Sequence, residues 1–189
     1  MIFYLENNIS EKEITMYFEK LLGVNEIPVG AKIIYREAVR GVVLNDRNLA
    51  FMIHTVKGDY KFPGGGIEAG ENHLSALTRE FIEETGYTIL DTIKPIGVII
   101  EQKQDIYEAN AYFVMKSYYY GCEIIGENLG QNLDAYEKEM DFKAKYVPIS
   151  EAYKQNRQLL ESSVADINSW VEREVIALES IIKRLNIQL

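Results

Sequence analysis

The segment Gly65 to Tyr87, GGIEAGENHLSALTREFIEETGY, constrains this chain more than any other. It joins a glycine-rich loop to one amphipathic helix. A helix advances about 100° per residue. With Glu80 at zero, Glu83 falls near −60° and Glu84 near +40°, so three carboxylates share one arc of about 100°. Leu74, Leu77, Phe81 and Thr85 lie on a separate apolar face that can dock on a core. Like charges at i, i+3 and i+4 repel and weaken an isolated helix. Two readings follow: a solvated acidic face, or a cluster compensated by a cation. An oxygen-only donor set of this kind suits Mg2+ or Mn2+.

The flanks favour the second reading. Phe62, Pro63, Gly64, Gly65 and Gly66 precede the helix, and Gly86 ends it as a C-terminal glycine does. Gly65, Glu71, Arg79, Glu80, Glu83, Glu84 and Gly86 fit the spacing G-x5-E-x7-R-E-U-x-E-E-x-G-U, where U is bulky and apolar. This resembles the Nudix box, with Phe81 at the first U. Tyr87 at the last U departs from the aliphatic residue commoner there. The resemblance implies an α/β (α+β) fold, an α/β/α sandwich around a mixed sheet.

The rest of the chain is compatible. With 189 residues, 47% of them hydrophobic and 26% charged, it reads as one domain with a normal core. No apolar run is long enough to span a bilayer, and the first residues lack a secretory pattern, so neither membrane nor export is expected. The single cysteine, Cys122, excludes an internal disulfide and fits a cytoplasmic location. It is read as a strand-end residue. A net charge of −9 gives no help in holding nucleic acid, so no nucleic-acid partner is expected.

The division expected is an N-terminal helical extension over 1–27, a core over 28–160 and a C-terminal helix over 161–189. Ser10 to Glu13 reads as a capping box, and the spacing of Ile14, Tyr17, Phe18, Leu21 and Leu22 predicts a helix over 11–22. Strands are predicted from Ile33 to Leu44 and from Leu49 to Val56, joined as a hairpin by a turn at 45–48. The box helix is predicted from Asn72 to Thr85. Paired strands follow at Ile96 to Glu101 and Ala109 to Tyr120, with Gln102 to Asp105 near their turn. Residues 126 to 136 read as a weakly patterned loop. A last strand at Lys143 to Ile149 and a short helix capped at Ser150 come next. A long helix over 163–185 carries Val164, Ile167, Trp170, Val171, Val175, Leu178 and Ile182 on one stripe. The stripe around Trp170 is a candidate homodimer face.

By resemblance, Glu83 and Glu84 are the main metal ligands, Glu80 a further one, and the Gly64 carbonyl another, with Mg2+ or Mn2+ as cofactor. A glycine loop lets backbone approach an ion where a Cβ would obstruct it. Arg79 takes the family's structural arginine position, and Gly65, Glu71 and Gly86 are structural too. Glu71 stands between scaffold and outer-shell ligand, and Glu68 reads as a surface residue. The general base is either a box glutamate or a carboxylate from the loop holding Glu137, Glu139 and Asp141. Glu139 is the first choice there, against a plain solvated acid. Arg36, Arg40, Phe51 and Tyr112 are candidates for base or sugar contact. His54 reads as structural and His73 as variable. The run Tyr118, Tyr119, Tyr120 must face both sides of a strand, so only part of it can line a pocket.

The reaction implied is cleavage of the pyrophosphate bond of a nucleoside diphosphate linked to another moiety. A nucleoside triphosphate, oxidised forms included, is the leading substrate. The marks associated with ADP-ribose and dinucleoside polyphosphate hydrolases, a proline or tyrosine near 101–104, are absent. Alternatives are an ADP-ribose or nucleotide-sugar pyrophosphatase, a non-catalytic ligand sensor and an isopentenyl diphosphate isomerase. The intact box disfavours the sensor, and Cys122 gives the isomerase no context.

Overall fold

The computed structural model describes residues 17–162 and 166–188. The elements in chain order are β1 (Phe18–Gly23), β2 (Lys32–Val42), β3 (Leu49–His54), β4 (Tyr60–Lys61), α1 (His73–Thr85), β5 (Thr88–Ile89), β6 (Lys94–Gln104), β7 (Ala111–Gly121), β8 (Ile124–Ile125), α2 (Ala135–Glu139), β9 (Lys143–Pro148), α3 (Ile149–Glu161) and α4 (Val171–Arg184). The main sheet is mixed, in the order β1-β6-β7-β2. β1 runs parallel to β6, β6 antiparallel to β7, and β7 parallel to β2. A second, antiparallel sheet has the order β4-β3-β9, and β5 pairs with β8.

Strand alternation divides the interior in two. On one side α1 sets Ala76, Leu77 and Phe81 against Val39, Phe51 and Ile89. On the other, α3 and α4 cover Phe18, Ala50, Met52, Phe62, Ile99 and Tyr119. Helices on both faces of the strands make the expected α/β/α sandwich. The tyrosine run splits the same way. Tyr119 is buried under α4's side, while Tyr118 and Tyr120 turn to His73 at the start of α1. Among the described residues no helix is long and apolar enough to cross a membrane.

Four local expectations are corrected. Residues 18–22 are strand, not helix; the capping box at Ser10 and residues 11–16 lie outside the described residues. Phe18 and Leu22 are buried four positions apart, a spacing that satisfies a two-residue period as well as a helical one. Tyr17 and Leu21, which a helix would have buried, are 47% and 45% exposed. Phe18 instead lies over Gly97 of β6, where any Cβ would strike its ring, so the segment belongs to the main sheet. Secondly, the hairpin at 45–48 is short: Asn45 N donates to Leu49 O and Phe51 N to Val43 O around a bridge between Leu44 and Ala50, after which β3 leaves β2 to pair with β4 and β9.

Thirdly, the last helix begins at Val171. Residues 166–170 are drawn out of helical form by Asp59: Asn168 Nδ2 and Trp170 Nε1 both donate to its carboxylate, at 2.7 and 2.6 Å. Residues 163–165 lie outside the described set. The stripe of Val171, Val175, Leu178 and Ile182 is buried inside the chain's own core, and Trp170 packs edge-on against Phe142 and Tyr136. The stripe is therefore spent on folding, which removes the ground for reading it as a dimer face. Lastly, α3 starts at Ile149 straight after Pro148, with no side-chain cap from Ser150.

Candidate active site

The site is built where β4 runs into the glycines. The loop is held as an extra strand along β2. Gly41 N donates to Pro63 O, Val39 N to Gly65 O and Ile67 N to Glu37 O, at 2.8, 2.9 and 3.0 Å. Gly64 has φ 132°, in the region that favours glycine, and a Cβ there would run into the Val39 carbonyl. A Cβ on Gly65 would occupy the space of the Glu80 carboxylate. The glycines therefore let acid side chains and backbone share one small volume.

Helix α1 brings the acids. Asn72 Oδ1 accepts from Ser75 N at 2.9 Å, fixing its start, and Gly86 at φ 77° closes it. Its last carbonyls are taken up by the following loop. Asn132 N donates to Glu83 O, Asn128 Nδ2 to Thr85 O, Leu129 N to Gly86 O, and Gln131 Nε2 bridges Glu84 O and Phe142 O. The segment that showed little pattern in sequence thus anchors α2 beside the box.

Glu84, only 2% exposed in its side chain, accepts from Gly64 N at 2.8 Å through Oε2 and pairs with Lys61 Nζ through Oε1. Arg79 Nη1 donates to Glu80 at 2.8 Å and to Glu83 at 3.2 Å. The same guanidinium grips Glu71 through Nε and Nη2, at 2.8 and 2.9 Å, and donates to Gly66 O at 3.0 Å. Arg79 holds the Glu71 carboxyl down at about 2, helped by the Glu68 N–H. Burial pushes the Glu80 carboxyl up; Arg79 opposes that and Glu84 adds to it. Gly64 O accepts from Arg40 Nη1 and lies 3.4 Å from Lys61 Nζ.

A cleft of about 420 Å³ opens beside the acids, lined by Glu68, Arg79, Glu80, Glu83, Asp134 and Glu137. Glu137, not Glu139, is on its wall. Its carboxyl is pushed up by burial and by Glu84, while Asp134 N donates to it. Glu139 is exposed at the far end of α2, and Asp141 is an exposed turn residue at φ 51°. Arg36 lines an adjoining cleft of about 690 Å³ with Tyr35, Glu37, Gly66 and Glu80. Arg40 is buried behind the glycine loop, out of reach of a ligand in either cleft. Phe51 is a largely buried ring among Phe81, Tyr87 and Tyr146, and its edge lines a third cleft of about 490 Å³ with Thr85, Tyr87 and Lys145. Tyr112 pairs with Ile33 and Gln104, away from Ala38 to Gly41 where the loop joins β2. His54 packs at a tilt against Tyr60, and His73 Nδ1 meets the Tyr120 hydroxyl. Cys122 is buried, its thiol pushed up to about 12 by desolvation.

The donor set fits a hard divalent ion in type: Glu80, Glu83, Glu84 and the Gly64 carbonyl offer oxygen only. The loop lies against two of these acids, with Gly65 at the Glu80 carboxylate and Gly64 N bonded to Glu84. Among the described residues no three acidic, histidine or cysteine side chains already converge on one point. Lys61 and Arg79 neutralise the carboxylates in that arrangement.

Three groups escaped the sequence reading. Lys61 sits one residue before the glycine motif and gave no periodic signal. Glu174 of α4 accepts from Phe62 N at 3.1 Å and from Arg173, which in turn meets Glu101. That ion network pins the start of the loop. Its signal was present, since Glu174 falls between Val171 and Leu178 on the apolar arc. Glu37 is the third; both Tyr35 and Tyr118 hydroxyls donate to its Oε1 at 2.8 Å.

Comparison with known proteins gives concordant results. The family model described as NUDIX domain matches residues 34–171. The chain is 32% identical over 122 residues to "RNA pyrophosphohydrolase" of Pelagibacter ubique (strain HTCC1062), spanning 61% of this chain and 73% of that one. It is 38% identical over 64 residues to "Nudix hydrolase 25" of Arabidopsis thaliana, 33% of this chain and 37% of that one. A solved structure, "NUDIX hydrolase from Nitrosomonas europaea", aligns at TM-score 0.48 and 16% identity, covering 76% of this chain and 90% of the other. The box, its loop and the extent of the family match lead to one conclusion: the chain belongs to the NUDIX family and is a hydrolase acting on pyrophosphate bonds.

Proposed function

We propose that the chain is a Mg2+- or Mn2+-dependent pyrophosphohydrolase of nucleoside triphosphates, releasing a nucleoside monophosphate and pyrophosphate, and that it works in the cytoplasm. The observation that carries the reading is the close approach of the glycine loop to the box acids, Gly64 N bonded to Glu84 and Gly65 pressed against Glu80, beside the cleft lined by Glu80, Glu83 and Glu137. Members of the family generally use divalent ions. Gly64 O, Glu80, Glu83 and Glu84 would hold them here. Such ions neutralise phosphate charge and acidify water.

The protein's own groups do the rest. Arg79, fixed by Glu71, orients Glu80 and Glu83. Glu137, whose carboxyl is pushed up, accepts the proton as water attacks phosphorus and the bridging P–O bond breaks. Glu71, Gly65 and Gly86 are scaffold. Arg36, in the adjoining cleft, supplies positive charge for a phosphate or sugar.

A second reading is favoured by one finding, the Pelagibacter relative named for RNA: the triphosphate could be that of an RNA 5′ end. The net charge of −9 limits such contact to the terminal nucleotides. A panel of nucleoside triphosphates, nucleotide sugars, ADP-ribose and 5′-triphosphorylated RNA, with Mg2+, Mn2+ or EDTA, distinguishes these. Glu84→Gln is expected to cut turnover about a hundredfold or more. Glu137→Gln should lose far more activity than Glu139→Gln. Equal rates for Glu84→Gln and the parent across the panel would overturn the reading.

A further inference from the structure

We propose that Lys61 is a resident cation of the site: its ammonium occupies the place between the Gly64 carbonyl and Glu84 that a divalent ion would take, and yields it when the ion binds. The inference rests on the metal-site reading above. Lys61 Nζ pairs with Glu84 Oε1 and stands 3.4 Å from Gly64 O. Its side chain is 7% exposed and that of Glu84 2%, so water screens the pair poorly.

The two cations of the site differ in how they are held. Arg79 is fixed by Glu71 through two bonds and by Gly66 O, so its charge is part of the frame. Lys61 has a flexible four-carbon stem and one strong acceptor. Where it stands, Nζ also lies 4.7 Å from the centre of the Phe142 ring and 5.8 Å from that of Trp170, faces that attract an ammonium ion without bonding it rigidly. Gly64 O keeps its bond from Arg40 when the ammonium leaves.

Two consequences follow. The metal-free protein is spared an uncompensated buried Glu84, and metal affinity is set below what the oxygens alone would give, because each ion must displace a bound charge.

The test is Mn2+ binding to the substrate-free full chain, by calorimetry and by the loss of free-ion paramagnetic resonance signal. Lys61→Met is expected to bind Mn2+ about tenfold more tightly or better, since it removes the competitor. Lys61→Arg, which keeps a charge, should show no gain. The thermal midpoint of Lys61→Met should be lower than the parent's without metal and should rise more on adding Mn2+. If that variant is unfolded alone, Mn2+ should fold it, read by circular dichroism. Equal or weaker binding by Lys61→Met, or failure to fold in saturating Mn2+, overturns the proposal. Absence of Mn2+ binding by both parent and variant overturns the metal-site reading itself and this inference with it.

Discussion

Replacing Asn156 with alanine tests how the approach to the glycine loop is held. Asn156 on α3 is fully buried and binds both backbone groups of Tyr60: its Oδ1 accepts from Tyr60 N at 2.8 Å and its Nδ2 donates to Tyr60 O at 2.7 Å. The side chain stands in for a neighbouring strand on the free edge of β4. Truncation leaves one N–H and one C=O buried without partners. Each costs about 1–3 kcal/mol, so a loss of about 3 kcal/mol is expected. For a chain of this size that corresponds to a fall in Tm of about 6–12 °C. Urea unfolding followed by circular dichroism measures it, with m unchanged if the folded state is intact. Asn156→Asp is the control. It keeps an acceptor for Tyr60 N but turns a carboxylate oxygen onto Tyr60 O, so it should be at least as damaging. A loss below about 1 kcal/mol for alanine would refute the reasoning, because the two backbone groups would then have found other partners.

Three further outcomes are expected. Gly65→Ala puts a methyl group into the Glu80 carboxylate and should cut activity about tenfold or more while leaving the chain folded; parent-like activity would refute the close-approach argument. Glu71 is held near 2 against an ordinary value of 4.5, so the unfolded chain binds its proton first on acidification. Its contribution is full above about pH 4.5 and lost towards pH 2; the shift corresponds to about 3 kcal/mol, reduced by solvent screening to about 1–2. Urea midpoints at pH 3 and pH 6 should therefore converge in Glu71→Gln relative to the parent, and an unchanged difference would count against the pairing. Cys122 should react with a thiol reagent at pH 8 far more slowly than the unfolded chain does, and a rate equal to that of free thiol would show the site is open.

The box was legible because its constraints are local. Gly65, Arg79 and Gly86 act within one loop and one helix, so spacing alone reveals them. The same holds for α1, whose cap Asn72 and stop Gly86 sit where the sequence sets them. What was misread depended on partners distant in sequence. Phe18 and Leu22 have the spacing of either period, and Gly97 decides between them. Ile167 and Trp170 fit a helix, and Asp59 draws their segment out of it. Arg40 carries a surface residue's charge yet is buried, because the Gly64 carbonyl needs a donor from behind. Glu137 and Glu139 both lie on α2, and only the docking of residues 128–132 onto the end of α1 selects the one that faces the cleft.

The two parallel pairings of the main sheet bear on how the chain reaches this state. β1 sets Phe18 opposite Gly97, and β2 sets Lys32 opposite Ala111. Neither early strand has its partner in the main sheet until the chain beyond it, box helix included, has been made; before then β2 can meet only the glycine loop. During synthesis both emerge with Phe18, Val39 and Val42 bare, and closing those long loops must precede any gain from pairing. A slow, largely post-synthetic collapse of the sheet follows. The β6–β7 ribbon, whose strands are neighbours in sequence, is its natural nucleus, and exposed β2 is the segment most in need of shielding while it waits.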